Sequence, residues 1–259
     1  MHMHWYDQRL KGIDTGVDDE APIKLFVMGK NTWRDEYEWP LERTEWTKFY
    51  LSSNGRAADD GGSLSTESKT IDQASDSFIY DPKDPVPSIG SQYQTFDFCG
   101  PRDRSHIQLR PDVLTFTTDV LTEDLEITGP ISATVWASSD AIDTDFTATL
   151  TDLEPDGKAI ALCEGIVRAR FRDGTENPQM IIPGKIYKFE IDMWNTSNSF
   201  NKGHRIRIEI SSSNFPRYNR NLNSGNPIAS DTDITIANQT VYHGSKYPSH
   251  INLPLIPAS

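Results

Sequence analysis

Hydrophobic residues recur at every second position through three stretches of the chain. In ISATVWASS, Ile131, Ala133, Val135 and Ala137 share one face. In KIYKFEIDMW, Tyr187, Phe189, Ile191 and Met193 alternate with Lys188, Glu190 and Asp192. In HRIRIEISSS, Ile206, Ile208 and Ile210 alternate with Arg205, Arg207 and Glu209. A period of two gives each strand one buried and one wetted face, as in antiparallel sheets packed on one side. Turn signals separate such runs at Pro155-Asp156-Gly157, Pro183-Gly184 and Lys202-Gly203. The spacing predicts about eight to ten strands in a jelly-roll or related β-sandwich. No internal repeat and no βαβ series interrupts it, so the predicted class is all-β.

The N-terminal region breaks this pattern. Residues 1–12 (MHMHWYDQRLKG) predict a short helix stopped at Gly12, with Trp5, Tyr6 and Leu10 giving it an aromatic face. A helix of this length is marginal alone and needs something to pack against. IDTGVDDEAP reads as a linker and IKLFVMG as a compact, buried-type strand. Four of the six tryptophans (Trp5, Trp33, Trp39 and Trp46) lie in the first 46 residues. Tryptophan buries much area at low entropic cost, which suits an interface, although packing on the β-domain explains the rings equally well. On this reading residues 1–45 are a docking strap and residues 46–259 the β-domain.

Within the β-domain, Phe49-Tyr50-Leu51 predicts a strand, followed by a Gly/Ser/Asp-rich loop through Ser68. DPKDPVPSIG is too rich in proline for a central strand. Residues 88–108 predict a long irregular loop carrying Tyr93, Phe96 and Phe98. Loops of that length inside a compact domain are commonly functional or mobile.

Composition narrows the chemistry. A chain of 259 residues buries roughly 70–75% of its unfolded surface, enough for a core without staples. Its net charge of −13 argues against nucleic acid and anionic membranes as partners. The apolar runs are too short for a membrane-spanning helix. Cys99 and Cys163 match no metal spacing, and Cys163 in AIALCEGIV reads as a small buried hydrophobe. His2 and His4 point apart on a helix, and His106, His204, His243 and His250 are scattered. Asp140, Asp143 and Asp145 are close enough for a calcium loop but lack its glycine and glutamate positions. They are expected instead to cap a turn or to pair with Arg168, Arg170 or Arg172. The polar, aromatic run Asn214–Asn221 is expected to form a hydrogen-bonded corner; a surface for a ligand or second domain is the alternative. No metal and no cofactor are expected. No signal peptide is visible, and the compartment is left open with the cytoplasm favoured over secretion.

The wording of several segments adds to this pattern. WYDQRLKGIDTGV, NTWRDEYEWPL, RPDVLTFTTDVLTEDLEITGP, DTDFTATLTDLEPDGKAIALCEGIVRARFR, HRIRIEISSSNFPRYNRN and YPSHINLPLIP occur in order along nearly the whole chain. Together they resemble the last helix, the domain junction and the C-terminal β-domain of the cocaine-esterase-like and X-Pro dipeptidyl-peptidase serine hydrolases. The resemblance implies a jelly-roll β-sandwich of galactose-binding-like type. It also implies an α/β-hydrolase catalytic domain of the same polypeptide as partner, with homodimerisation as a further option.

In that family the nucleophilic serine stands in a glycine-flanked elbow in the hydrolase domain. A serine hydroxyl needs a histidine to take its proton and a carboxylate to orient that histidine. No such elbow occurs here: Gly62-Ser63, Gly90-Ser91 and Gly244-Ser245 all lack the second glycine. The family's histidine is expected upstream of the first helix, so the chain is expected to carry no catalytic residue. The family counterpart of the 88–108 loop walls the acyl pocket, which implies that role for Tyr93, Phe96 and Phe98. Here the loop departs from the family pattern. Gly90-Ser91 stands where a double glycine is common, and Pro101-Arg102-Asp103-Arg104 replaces P-x-D-Q. The domain interface is assigned to Trp5, Tyr6, Trp33 and Trp39. A free-standing carbohydrate-binding module using Tyr93 or Phe96 is the alternative function.

Overall fold

The computed structural model describes residues 2–68, 74–92, 99–228 and 230–257. The chain begins with α1 (His2–Lys11), which ends at Gly12 in the left-handed region (φ 66°). A hairpin follows, β1 (Ile23–Val27) and β2 (Thr32–Glu36), forming a two-stranded sheet of its own. The main sheet opens with β3 (Glu45–Ser52), β4 (Gly62–Ser65), β5 (Ser75–Tyr80) and β6 (Leu114–Thr117). It continues with β7 (Leu125–Ser139), β8 (Asp145–Leu153), β9 (Ala159–Arg168) and β10 (Tyr187–Phe200). The last strands are β11 (Arg205–Ser211), β12 (Ala237–Tyr242) and β13 (His250–Ile256).

The fold is all-β, as the alternation predicts. Hydrogen bonding runs along β5-β12-β7-β13-β3-β4-β6-β11-β8-β9, with β10 on the other edge of β7. Among these pairs only β4 with β6 is parallel. Long β7 serves β10 along one edge and β13 then β12 along the other. The β9 end of the path comes back against β10. A Cβ at Gly165 of β9 would lie 2.0 Å from the Asp192 carbonyl of β10, an approach only glycine permits.

The enclosed core is continuous. Phe116, Phe146, Phe189, Phe200, Ile206, Ile208 and Ile210 are fully buried. Phe146 of β8 meets Phe189 of β10 with centroids 4.8 Å apart, a contact between strands that share no hydrogen bonds. Each such ring contributes roughly 1.5–3 kcal/mol by leaving water. The faces of β7 and β10 follow expectation: Ile131, Ala133, Val135, Ala137, Phe189, Ile191 and Met193 point inward. Lys188, Glu190 and Asp192 lie exposed between the inward residues of β10.

Three expectations need correction. The glycine-rich segment before Ser68 contains strand β4, where a Cβ at Gly62 would meet the Thr115 carbonyl at 2.1 Å. The missing side chain is what lets β4 reach β6. Strand β1 is not buried: only Val27 is, because its hairpin rests on the sheet by one end. On β11, Arg207 and Glu209 were expected on a wetted face but are 7% and 2% exposed. Residues 84–92 and 99–113 lie over that face as an extra layer, with a small core of their own in Val86, Ile107 and Val113.

Candidate interdomain interface

The strap presents its aromatic residues to solvent. In α1 no residue is buried; Trp5 and Tyr6 meet edge to face at 5.3 Å and each is about half exposed. The side-chain bonds of the helix end on itself or its linker. Gln8 Oε1 accepts from the Thr15 and Val17 amides, and Arg9 pairs with Asp18. On the hairpin, register sets Phe26 opposite Trp33, with ring centroids 5.3 Å apart and Trp33 65% exposed. Tyr37, Trp39 and Trp46 are exposed as well. Across the strap's tryptophans, exposure grades from Trp33 at 65% down to Trp39 at 38%, a ring that is largely covered.

Polar contacts fasten the hairpin. Met28 bridges β10, its amide donating to the Ser197 carbonyl at 3.0 Å and its carbonyl accepting from Ser199 N–H at 2.8 Å. Gly29 follows with φ 79°, where a Cβ would strike the Ser199 carbonyl at 2.1 Å. Arg34 contacts buried Glu126 of β7 at 2.7 Å and Glu36 at 2.6 Å, and Arg43 also pairs with Glu36. The Arg43 hydrogen bond holds the Glu36 carboxyl below its ordinary range against burial. Burial pushes Glu126 up, yet Arg34, Thr128 and Lys30 together hold it low. The strap is thus oriented by charge on one side and left apolar on the other.

Tyr93, Phe96 and Phe98 lie outside the described residues. The feet of their segment are fixed. Gly100 N–H donates to the Ser91 carbonyl at 3.0 Å, closing the segment at its base. The Gln92 amide donates to the Met193 carbonyl at 3.3 Å and accepts from the Glu164 N–H at 3.2 Å. Below it, Arg104 is buried, donating to Glu209 at 2.8 Å and to the Ile89 carbonyl at 3.0 Å. Gln108 joins the pair, donating to Glu209 at 2.8 Å and accepting from Arg207 at 2.6 Å. Burial alone would lower the Arg104 pKa, but Glu209 and Glu164 raise it above its ordinary value. Pro101-Arg102-Asp103-Arg104 is therefore an ordered foot. Asp103 accepts from Ser105 N–H at 2.9 Å and Ala159 N–H at 3.1 Å. Sequence reasoning missed Arg104; an arginine between the apolar residues of 86–113 was its only signal.

The aspartates do what their spacing suggested. Arg168 donates to Asp145 at 2.8 and 2.9 Å, Arg170 donates to Asp143 at 2.8 Å, and Asn221 bridges both carboxylates. Burial pushes the Asp145 carboxyl up despite its arginine. Asp140 caps Asn238, accepting its N–H at 2.7 Å. Arg172 pairs instead with its neighbour Asp173 at 3.3 Å, donates to the Ala169 and Gln179 carbonyls and lies over the Tyr187 ring. The run Asn214–Asn221 forms the expected corner, exchanging backbone bonds between Phe215 and residues Val86 and Ser88. Beside it opens a polar cavity of about 360 Å³, lined by Arg168, Arg170, Phe215, Arg220 and Asp231 among others.

One array has the residue types of a catalytic triad. Ser53 donates to Asp76 Oδ1 at 3.1 Å, and His243 Nε2 meets Asp76 Oδ2 at 2.6 Å. The order is wrong for nucleophilic catalysis, because the carboxylate stands between serine and histidine and the base cannot reach the hydroxyl. All three are buried, and Asp76 also accepts the Ala57 amide at 2.8 Å. The array ties β5 to the turns beside it. Cys163 is buried, which pushes its thiol pKa up, while Cys99 is exposed and both are free.

Residues 15–252 match the family described as the X-Pro dipeptidyl-peptidase C-terminal non-catalytic domain. The chain belongs to that family. It is 47% identical over 262 residues to the cocaine esterase of Rhodococcus sp. (strain MB1 Bresler), covering 99% of this chain and 45% of that protein. Among solved structures, an aminopeptidase from a marine sediment Thaumarchaeota archaeon superposes with a TM-score of 0.85 at 27% identity, over 99% of this chain and 44% of that one. An α-amino acid ester hydrolase gives a TM-score of 0.83 at 26% identity, over 98% and 44% of the two chains. The chain thus spans less than half the length of these relatives. A family described as non-catalytic agrees with the missing serine elbow and with the miswired Ser53–Asp76–His243 array.

Proposed function

We propose that this domain serves a serine hydrolase of acyl-esterase or X-Pro dipeptidyl-peptidase type by stabilising its α/β-hydrolase catalytic domain and helping to wall its acyl pocket. The observation that carries the reading is the strap, held by buried charge at Glu126 while Trp33 is 65% exposed and Trp5 and Tyr6 about half exposed. Exposed aromatics on a rigid support are the composition of an interface core awaiting its partner. In this reading Tyr93, Phe96 and Phe98 supply apolar wall to the pocket, carried on feet fixed at Ser91, Gln92 and Gly100. The reaction of the whole enzyme is acyl transfer to water through a serine ester, with the nucleophile supplied by the catalytic domain. Similarity to esterases and an aminopeptidase supports the reaction class.

A two-part assay tests it. The purified chain should not hydrolyse an activated ester or an X-Pro chromogenic peptide. Substituted for the matching segment of the Rhodococcus cocaine esterase, it should give a chimaera that turns over the activated ester. Fluorophosphonate-sensitive turnover by the chain alone, or a folded but inactive chimaera, would overturn the reading.

A further inference from the structure

The polar cavity beside the Asn214–Asn221 corner gathers positive charge on a chain whose net charge is −13. The end of β9 and the turn after it line the cavity with Arg168 and Arg170. The corner adds Phe215 and Arg220, and the chain beyond it adds Asp231. About 360 Å³ is the size of a small-molecule site.

The three arginines are unequally engaged. Arg168 gives Nε and Nη2 to Asp145, and Nη2 also reaches the Asn219 carbonyl at 3.2 Å. Arg170, only 9% exposed, gives Nε to Asp143 and Nη2 to the Asn226 carbonyl at 3.2 Å. The Nη1 of each has no hydrogen-bond partner among the described residues. Their two aspartates balance these two charges. Arg220 lacks that balance: its Nη1 donates to the Pro82 carbonyl at 3.0 Å, and it pairs with no carboxylate among the described residues. Its guanidinium lies 6.0 Å from the centroid of the Phe215 ring, which is 40% exposed. Asp231 makes no ion pair with it. The Asp231 oxygens accept from Ser224 Oγ, from the Asn226 amide at 3.1 Å and from the Asp233 N–H at 2.9 Å. These donors, Ser224 foremost, hold its carboxyl below the ordinary aspartate range.

The cavity thus offers spare donors beside an aromatic face. A guanidinium presents parallel N–H groups that match a carboxylate, and the match strengthens where water is thinned. Asp231 contributes one negative charge, which disfavours a ligand carrying two. We propose that the cavity binds a small organic monocarboxylate, its anionic head received by Arg220 together with the spare Nη1 groups of Arg168 and Arg170, and its ring laid against Phe215. The site involves neither the strap nor residues 93–98.

An NMR titration of the full chain with benzoate, benzamide and acetate tests the site. Benzoate should saturate one site, with amide shifts concentrated at Arg170, Ser224 and Asn226. It should bind about tenfold more tightly than benzamide, which lacks the charge, or acetate, which lacks the ring. Arg220→Gln should weaken benzoate by about tenfold, the scale of a lost charged hydrogen bond. Phe215→Leu should bring benzoate close to acetate. Both side chains are exposed, so neither change should move the thermal midpoint. Should either variant unfold, the comparison of benzoate with benzamide in the parent chain still decides the matter. Equal binding of those two, or benzoate binding untouched by Arg220→Gln in a folded chain, would overturn the proposal. So would shifts centred elsewhere on the chain, or no saturation by about 10 mM benzoate.

Discussion

Two surfaces of this domain reverse the ordinary distribution of residues in opposite senses. Over β11, β8 and β9, Glu209, Arg207 and Glu164 lie buried beneath residues 84–92 and 99–113, which add the buried Arg104. On the strap, Trp33, Tyr37 and Trp5 stand in water. The buried charges are matched: Arg104 with Glu209, Arg217 with Glu164 and Arg207 with Asp60. Exposed rings of the strap pair with one another, Trp5 with Tyr6 and Phe26 with Trp33. The first surface is a completed interior; the second is, in the reading proposed above, half of an interface. Burying an arginine needs every partner in place, whereas an aromatic face can remain open until another domain covers it.

That contrast predicts where damage will fall. The largest effect should come from Arg104→Ala. It leaves Glu209 buried beside Gln108 alone, and breaking a buried pair from one side costs about 3–5 kcal/mol. Denaturant unfolding of the isolated chain measures it. The double variant Arg104→Met with Glu209→Leu should recover most of the loss; failure to recover would mean that the pair does more than neutralise itself. Next comes Asp76, where Ser53, Ala57 and His243 converge. Burial pushes its carboxyl up, but the His243 contact and the Ala57 and Ser53 hydrogen bonds hold the folded value below ordinary aspartate. A depressed folded pKa gives stability that is complete above the unfolded value and lost as pH falls through the folded one. Asp76→Asn should therefore cost about 1–2 kcal/mol at neutral pH. The gap to the parent should close on acidification below the aspartate range. A gap independent of pH would contradict this role.

What the sequence made legible follows the same division. Period-two alternation placed Ile131–Ala137 and Phe189–Met193 correctly because one face of each strand packs on a single core. The same rule misplaced Arg207 and Glu209 because the layer that covers them comes from a segment about a hundred residues away, which no local period records. Strand β4 escaped notice because the space for it is made by the absence of a side chain at Gly62. For the interface, composition left two accounts of the tryptophans equal, and exposure sorts the rings singly: Trp33 stands well out while Trp39 is largely covered. The pairing of Asp143 and Asp145 with Arg170 and Arg168 was legible because β8 and β9 are sequential antiparallel neighbours.

The open surface should respond weakly in the isolated chain. Trp33→Ser with Trp39→Ser should shift stability by no more than about 0.5 kcal/mol there, the usual scale for exposed positions. In the chimaera the same pair should lower the activity midpoint, and equal losses in both settings would mean that the rings pack within this domain after all. The smallest effect should follow removal of residues 2–16. The helix buries nothing and bonds only within itself and its linker, so its hydrogen bonds to Thr15, Val17 and Asp18 leave together with it or lie outside the sheet. The unfolding midpoint of the shortened chain should be unchanged, because an unpartnered short helix is marginal and contributes little to the state it is attached to. A loss above about 1 kcal/mol would place the helix against the sheet and remove Trp5 and Tyr6 from the open surface, leaving the hairpin to carry it.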